Sequence, residues 1–386
     1  MFLQLVKQSN TQYELGSIRI YQSLAVFLHI YLPDADFLTA GLFVCYQRLH
    51  EGKNSDKQEE YLRYLFKKML RKLESPPIIG YMPIKYQIMA LMCKRQISLP
   101  VYLPVGNSIL VRVESYDTFA DIKARVVQEF GINPKRFRPE MFRFFEIVNF
   151  ENEELEESPI NENQIAWDVM TYWELAKEKY KEAKSPPPAF FLMLKVVYCF
   201  EALPDDVEGV ELAFAQCYFD YFIGRIKLPF DRMGGLAACV KKIKLAHRPD
   251  TEILGSYPIW MVKKHDRADL TEAMVDNIAQ MDREGLNSLQ MKYRFLEICD
   301  ECPLAMSMAI PTEQAVKLYF KPKKIYLTEK CEVVEEFLMR SVVKWAMDKE
   351  KFVFEVKGSK SHAVFTEFAS VCSQFLSELP RVLKAK

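Results

Sequence analysis

The hydrophobic repeat changes its period between Tyr86 and Leu103, and this change limits what the chain can fold into. In the first half of the stretch the apolar residues Ile88, Leu91 and Met92 have helical spacing, and after Lys94 the spacing becomes two, as in a strand. The alternating apolar residues are Ile97, Leu99, Val101 and Leu103. We therefore predict that a helix ends near Lys94 and that a strand begins two or three residues later. Such a change indicates a junction between a helical domain and a β-rich domain with almost no linker.

Length and composition are typical of a packed chain with several compact parts. The 386 residues are enough for about two to four domains. Hydrophobic residues make up 49% and aromatic residues 13% of the chain, which a disordered chain would not reach. Lysine plus arginine equals aspartate plus glutamate at 52 each, so no overall field attracts nucleic acid or a membrane. An electrostatic partner must be met by a local patch.

The nine cysteines are odd in number and mostly in apolar surroundings, which predicts reduced thiols in a cytosolic chain. The most apolar run, Ala189–Phe200, is too short for a membrane span and contains Lys195, so no transmembrane segment is expected. Cys299 and Cys302 form one ligand pair without a second pair or a histidine pair nearby, whereas zinc requires four ligands. No metal and no cofactor are expected.

Residues 1–94 are predicted to form a helical domain, because four apolar-periodic segments precede the junction. Asp56–Leu73 is the most informative of them, since Leu62, Phe66, Met69 and Leu73 share a narrow arc of a helix. The basic residues lie outside that arc, and no acidic residue occurs between Tyr61 and Leu73. The candidates for contact with an acidic partner are Arg63, Lys67, Lys68, Arg71 and Lys72. A solvated helix face is the alternative interpretation.

Residues 97–200 have the order of a ubiquitin-like β-grasp fold. Two strands flank a turn at Pro104–Asn107, a helix follows, and Met141–Val148 is a further strand. Trp173 is predicted to begin a second, mixed-charge helix. The acidic run Glu151–Glu162 is interpreted as a solvated loop. Its alternative role is to hold a basic surface, either of a partner or of the same molecule.

Residues 203–303 are predicted to form an all-helical bundle. It contains a second basic cluster, consisting of Lys241, Lys242, Lys244 and Arg248 together with His247. A solvated face is one interpretation of this cluster. Contact with an anionic lipid headgroup or with an acidic peptide is the other.

Residues 304–386 show seven short strand signals followed by one amphipathic helix, which is the order of a pleckstrin-like fold. In this fold the edge of the fifth strand, beside the final helix, accepts an extended peptide. The candidate groove residues are Arg340, Ser341, Val342, Lys344, Val371 and Phe375. Trp345 and Phe368 are expected in the core, and strict alternation places Val342 and Lys344 on the face opposite Trp345.

The sequence lacks the common catalytic motifs, so it gives no support for an enzyme. None of the five histidines is paired at metal-binding spacing, and neither a nucleophile elbow nor a phosphate-binding glycine loop occurs. No catalytic residues are assigned.

Several short runs resemble a known tandem. The helix that leads into Leu99-Pro100-Val101-Tyr102-Leu103-Pro104 resembles the junction between a myosin tail homology 4 (MyTH4) domain and a FERM module, as found in tails of unconventional myosins and in a plant-type kinesin. Met1–Gln8 resembles a helix from the middle of the MyTH4 domain, and Leu212–Gln216 with Gly224-Arg225 resembles the second FERM lobe. The family's opening helices have no counterpart here.

The resemblance implies a multidomain α+β chain. A partial MyTH4 helical domain is expected over residues 1–94, followed by a three-lobed FERM module. Its lobes would be ubiquitin-like (97–200), a helical bundle of the acyl-CoA-binding-protein type (203–303) and a pleckstrin-like β-barrel with a C-terminal helix (304–386).

The resemblance also implies a non-catalytic cytoskeletal adaptor. Its helical head would bind microtubules, and its FERM lobes would bind a protein tail or peptide, as in the cargo-binding tail of a motor. A membrane-peripheral module that binds acidic phospholipid and receptor tails is one alternative. A fixed structural component of a ciliary or other microtubule assembly is another. The expected location is the cytoplasm, in association with the cytoskeleton or a cilium, and no nucleic-acid partner is expected.

Overall fold

A computed structural model describes the chain apart from residues 1, 9–13, 32, 75–80, 105, 151–154, 198–202, 245–253, 313–315, 322, 330–331, 349, 358–360, 367 and 385–386, and apart from the side chains of Leu3, Val316 and residues 379–384. The chain divides into two compact units. The first unit contains residues 1–101, 109–132 and 160–190, and the second contains residues 102–108, 133–159 and 191–386. The four-domain division predicted from the sequence stays a prediction.

The first unit begins with helices whose apolar stripes pack on one another. They are α1 (Phe2–Gln8), α2 (Glu14–Ile30), α3 (Ala35–Glu51), α4 (Asp56–Glu74) and α5 (Lys85–Met92). Leu24 and Leu28 of α2 and Leu62 and Leu65 of α4 lie in this core. The long helix predicted from Asp56 therefore forms, and it ends one residue later than expected.

The predicted change from helix to strand is confirmed. Lys94 adopts a left-handed backbone conformation (φ 53°), which ends the helical path just after α5. The Arg95 N–H then donates to the Ala90 carbonyl at 2.8 Å, closing the helix end. Strand β1 begins at Ile97.

The ubiquitin-like lobe is built on a five-stranded mixed sheet. Its elements in chain order are β1 (Ile97–Tyr102), β2 (Ser108–Val113), α6 (Phe119–Glu129), β3 (Phe142–Asn149), β4 (Glu156–Pro159), α7 (Ala166–Glu182) and β5 (Ala189–Val196). The strand order is β2-β1-β5-β3-β4. Gly106, at the tip of the predicted hairpin, has φ 87°. Helix α7 begins at Ala166, so the predicted start at Trp173 was too late, because buried Trp167 and Val169 extend its apolar face.

The helical lobe consists of α8 (Val207–Phe222), α9 (Phe230–Lys244), α10 (Ile259–Lys264), α11 (Arg267–Glu284) and α12 (Ser288–Asp300). Helix α10 is short and was not predicted. Asp206 caps α8 as expected, since its side chain accepts the Gly209 N–H at 2.8 Å. Gly234 lets α9 approach α11 closely, because a Cβ there would lie 2.9 Å from the Ala273 carbonyl oxygen.

The pleckstrin-like lobe contains all seven predicted strands and the closing helix. The strands are β6 (Met308–Ile310), β7 (Val316–Phe320), β8 (Lys324–Glu329), β9 (Glu332–Leu338), β10 (Val342–Asp348), β11 (Lys351–Val356) and β12 (Ser361–Phe365), and the helix is α13 (Ala369–Lys384). They form two antiparallel sheets, in the orders β6-β7-β8-β9 and β10-β11-β12. Among the described residues these sheets do not join into a closed hydrogen-bonded barrel. Helix α13 packs against β10 and β11.

In the described part of the chain, every helix is too short or too polar to cross a lipid bilayer.

Candidate partner-binding sites

The basic helix α4 buries two of the five cations that the sequence assigned to its surface. Lys68 and Lys72 are 0% and 2% exposed. The buried stripe of α4 consists of Tyr61, Leu62, Leu65, Lys68, Met69 and Lys72. It is rotated from the predicted arc, which had included Phe66 and Leu73. The assignment of Lys68 and Lys72 to partner contact was therefore wrong, because an ammonium that meets a local acceptor can lie on the inner face of a helix.

The two buried lysines belong to a polar cluster within the first unit. Lys68 Nζ donates to the Ser115 hydroxyl at 2.7 Å, and Lys72 Nζ donates to the Tyr31 carbonyl at 3.2 Å. Burial, together with neighbouring Lys72, lowers the pKa of Lys68 well below its ordinary value. Burial lowers the pKa of Lys72 to about 8, although Asp168 opposes this.

His29 of α2 completes this cluster. Its Nδ1–H donates to the Ser115 carbonyl at 3.1 Å, since a carbonyl can only accept. Burial, followed by the charges of Lys68 and Lys72, lowers the pKa of His29 to about 2. The imidazole is therefore neutral at physiological pH and serves as a structural donor.

The other three candidates on α4 are more accessible. Arg63 is exposed and pairs with Glu59 on its own helix, through Nε at 3.0 Å. Arg71 is half-buried and pairs with Asp121. Lys67 is exposed, and no ion pair is found for it within the described residues. Lys67 is therefore the best placed of the five to meet an acidic partner.

The second basic cluster does not form one exposed patch in the described residues. Lys241 is buried, and Lys242 pairs with Asp282. Lys244 is exposed, with its ammonium 6.0 Å from the centre of the Tyr218 ring. Arg248 and His247 lie outside the described residues. Lys241 was therefore wrongly assigned to the surface.

The predicted peptide groove lies along β10, an edge strand beside α13. In the described part of the chain β10 pairs only with β11, which leaves its other edge without a strand partner. Trp345 is 38% exposed and Met347 is 56% exposed. Trp345 was expected in the core, and this was wrong because the edge position leaves part of the ring uncovered.

The register of β10 decides which side chains face the groove. Trp345 lies opposite Phe354 and Met347 lies opposite Phe352, and both phenylalanines are buried. Since directly opposed residues share a face, Trp345 and Met347 point to the inner side of the sheet.

A bulge at Val343 corrects the predicted alternation. The register shifts between Val342 and Lys344, and Val342 lies opposite Val356. Val342 therefore shares the inner face with Trp345, contrary to the prediction. Lys344, opposite Glu355, lies on the outer face as predicted.

The remaining groove candidates divide into accessible and buried residues. Arg340 is exposed and Ser341 half-buried, in a 3₁₀ turn just before β10. Val371 and Phe375 of α13 are buried, and the Phe375 ring lies 5.1 Å from that of Phe320. Direct partner contact by Val371 and Phe375 was therefore wrongly predicted, because they anchor α13 to the core. Val343 and Met347 are exposed apolar residues of β10 that the sequence reasoning missed.

Two glutamates of the acidic run hold basic residues of the same molecule, which was the alternative interpretation of that run. In the first unit Glu162 pairs with Lys123 at 2.6 Å, and both side chains are buried. In the second unit Glu157 pairs with Lys195 at 2.6 Å and with Arg225 at 3.0 Å. Residues 151–154 of the run lie outside the described residues.

Glu157 belongs to a group of buried charges that we call the four-charge cluster: Glu157, Lys195, Asp220 and Arg225. Arg225 donates to Asp220 Oδ1 at 2.8 Å, and the Met306 N–H donates to Asp220 Oδ2 at 3.1 Å. Burial alone would raise the pKa of Glu157, but Arg225 and Lys195 outweigh burial and hold this pKa below its ordinary value. The cluster links β4 and β5 to α8 and to the segment that precedes β6.

The cysteine pair has no arrangement suited to a metal. Cys299 and Cys302 are buried free thiols. No group of three or more histidine, cysteine, aspartate or glutamate side chains suited to a metal ion occurs among the described residues.

A helical head, a β-grasp lobe, a helical bundle and a pleckstrin-like lobe in this order define the fold of a MyTH4-FERM tandem, as the sequence predicted. Similar solved structures are the two tandems of myosin VII from Dictyostelium discoideum and the C-terminal tandem of human myosin 7b, the latter in complex with the harmonin-a PDZ3 domain. For MF1 of Dictyostelium the TM-score is 0.74 at 13% identity, covering 99% of this chain and 79% of that chain. For the second Dictyostelium tandem, MF2, the TM-score is 0.70 at 17% identity, covering 98% of this chain and 78% of that chain. For the human myosin 7b tandem the TM-score is 0.62 at 13% identity, covering 99% of this chain and 78% of that chain.

No protein-family model matches the sequence. At identities of 13–17% the likeness is one of fold.

Proposed function

We propose that this protein is a non-catalytic adaptor that binds an extended segment of a partner protein along β10, beside α13. The observation that carries the proposal is an edge strand that leaves Trp345 and Met347 exposed on its inner side. The myosin 7b tandem was solved bound to a PDZ domain, which supports protein binding by this fold, although a PDZ domain is not an extended peptide.

The chemistry of β10 suits strand addition. An incoming strand would hydrogen-bond to the edge of β10, and every second side chain would lie against Trp345 and Met347. On the outer face Lys344 lies opposite Glu355 and Asp348 lies opposite Lys351, so charges of opposite sign balance there. We therefore expect the groove to select alternating apolar residues, with affinity that depends little on salt.

A peptide-display selection on the full chain tests this proposal. The selected peptides should carry apolar residues two positions apart. Met347→Glu should weaken their binding about tenfold or more, because a carboxylate would be desolvated in the groove. Fluorescence anisotropy with a labelled selected peptide measures the change.

Val334→Glu is the matched control, because Val334 is also an exposed apolar residue on an edge strand, but in the other sheet. Both substituted side chains are exposed, so neither variant should alter the melting temperature by more than a few degrees. Equal loss of affinity in the two variants would contradict binding along β10.

Microtubule binding by the helical head is the finer part of the proposal. Its support is the exposed ammonium of Lys67, with Arg63 exposed on the same helix and Arg71 half-buried. This part of the proposal also accounts for the expected cytoskeletal location, whether in the cytoplasm or in a cilium.

Co-sedimentation with taxol-stabilised microtubules distinguishes the contribution of the surface cation to binding from that of the buried cations. Lys67→Glu should lower the bound fraction several-fold at low salt, because it reverses a charge that faces solvent. Lys68→Met should leave binding unchanged wherever the variant is folded, since Lys68 is fully buried. Unchanged binding of Lys67→Glu would count against a microtubule site on α4. Vesicles containing phosphatidylserine, tested with Lys244→Glu, examine the phospholipid alternative in the same way.

A further inference from the structure

Arg143 is a fully buried arginine that nothing in the proposed function uses. It lies in β3 within the apolar sequence Phe142-Arg143-Phe144-Phe145, and it is 0% exposed. Removing a guanidinium from water is costly unless its hydrogen bonds are replaced. A buried arginine at this position therefore indicates partners that hold it in place.

The partners of Arg143 include two residues of α13. One terminal nitrogen donates to Gln374 Oε1 at 3.1 Å, and the other donates to Glu378 Oε2 at 3.1 Å. Gln374 Nε2 in turn donates to Glu378 Oε1 at 2.6 Å. The three side chains form a closed ring of hydrogen bonds, which fixes the geometry more tightly than a single ion pair would.

Helix α13 is thus held on two sides. Val371, Cys372 and Phe375 lie in the core of the pleckstrin-like lobe, whereas Gln374 and Glu378 reach Arg143 of the ubiquitin-like lobe. The same helix packs against β10, where it forms a wall of the proposed peptide groove.

We propose that Arg143 is a positioning residue that fixes α13 and thereby sets the width of the groove between α13 and β10. The inference rests on the proposed function for the role of this groove. A contact that moves β3 would then alter the affinity of the groove for peptide. Because binding couplings are reciprocal, a peptide in the groove would stabilise the hydrogen bonds between Arg143 and α13 to the same extent.

Cys372 supplies a reporter of α13 that needs no peptide. Its thiol is fully buried on the helix, and burial raises the thiol pKa, so it reacts only when α13 moves away from the core. In the Arg143→Met variant, pulse labelling with N-ethylmaleimide followed by peptide mass spectrometry should show Cys372 labelled about tenfold faster. Cys217 and Cys239 of the helical lobe, which are also buried, should remain at the wild-type rate.

Glu378→Gln provides a milder variant in case Arg143→Met does not fold, because it keeps one of the two acceptor oxygens while it removes the charge and the other acceptor. It should accelerate the labelling of Cys372 by a smaller factor. Arg143→Lys keeps the charge but not the two-pronged geometry, and should fall between wild type and Arg143→Met.

Amide hydrogen exchange along β10 and the affinity for the selected peptide complete the test. Faster exchange in β10, together with weaker peptide binding, is expected for both Arg143→Met and Glu378→Gln. Equal acceleration of all three cysteines would show that Arg143 only stabilises the whole unit, and would overturn the proposal. Labelling of Cys372 without any change in β10 exchange would overturn it as well. If no peptide is selected, the proposed function fails, whereas labelling and exchange still decide whether Arg143 positions α13.

Discussion

Replacing Arg225 with methionine is expected to lower the free energy of unfolding by about 3–5 kcal/mol, as is typical when one partner of a buried ion pair is removed. Arg225 lies between two buried carboxylates, with Asp220 at 2.8 Å and Glu157 at 3.0 Å. The four-charge cluster contains two cations and two anions, so it is neutral as a whole. Without Arg225 the buried carboxylates would share only Lys195.

The position of the cluster explains why the effect should be cooperative. Arg225 also donates to the Ser307 carbonyl at 3.4 Å, and Asp220 accepts the Met306 N–H. Lys195 lies over the rings of Phe145 and Phe219, at 5.2 and 4.8 Å from their centres. Within the second unit, a disturbance at Arg225 would therefore affect β4 and β5, the helical lobe and the start of the pleckstrin-like lobe together.

A double substitution distinguishes loss of charge balance from loss of packing. In Arg225→Met with Glu157→Gln, the remaining pair of Lys195 and Asp220 is again neutral. Urea denaturation should show this double variant to be more stable than Arg225→Met alone by about 1–2 kcal/mol, because the two sites are in contact and their effects are not additive. A double variant that loses the sum of the two single effects would contradict the charge argument.

The architecture could be predicted because it depends on the spacing of apolar residues and on the residues that begin or end helices and strands. The change of spacing around Lys94 located the junction, and Asp206 marked the start of α8. The strands of the pleckstrin-like lobe follow runs of alternating or apolar residues separated by turns. These signals are local, and local signals can be read from one sequence.

The candidate sites were predicted less well, because accessibility depends on what packs against each element. A helical wheel places Lys68 on a polar flank. It does not show that the Lys68 ammonium is buried and donates a hydrogen bond to the Ser115 hydroxyl. Strict alternation likewise fails at β10, because the bulge at Val343 turns Val342 to the inner face. The acidic run gave no sign that Glu157 would meet Arg225, which is distant in sequence.

Lowering the pH from about 6.5 to about 4.5 is expected to destabilise the first unit by about 2–3 kcal/mol, because His29 cannot accept a proton in the folded state. Its pKa is about 2 when folded, against an ordinary 6.5. Between these values the unfolded chain binds a proton that the native chain does not, so stability rises with pH across the window and is lost on acidification. The buried ammonium of Lys68 also has a lowered pKa, so the contribution of His29 is isolated by comparing the wild type with a His29 variant.

Urea denaturation of wild type and His29→Asn at several pH values measures this contribution. The asparagine amide can replace the Nδ1–H donor to the Ser115 carbonyl, but it does not titrate. On acidification from pH 6.5 to 4.5 the free energy of unfolding should therefore fall more steeply for the wild type than for His29→Asn, by up to about 1.4 kcal/mol per pH unit. Equal slopes for the two proteins would show that His29 is not the group responsible.

Lys72 is expected to make stability depend on pH in a second, alkaline interval. Its pKa is about 8 in the folded chain and 10.5 ordinarily, so between these values the unfolded chain again holds the extra proton. Stability should rise a second time over this range, and Lys72→Met should make that rise smaller. A Lys72→Met variant whose stability rises as steeply as that of the wild type between about pH 8 and 10.5 would show that Lys72 is not the group responsible.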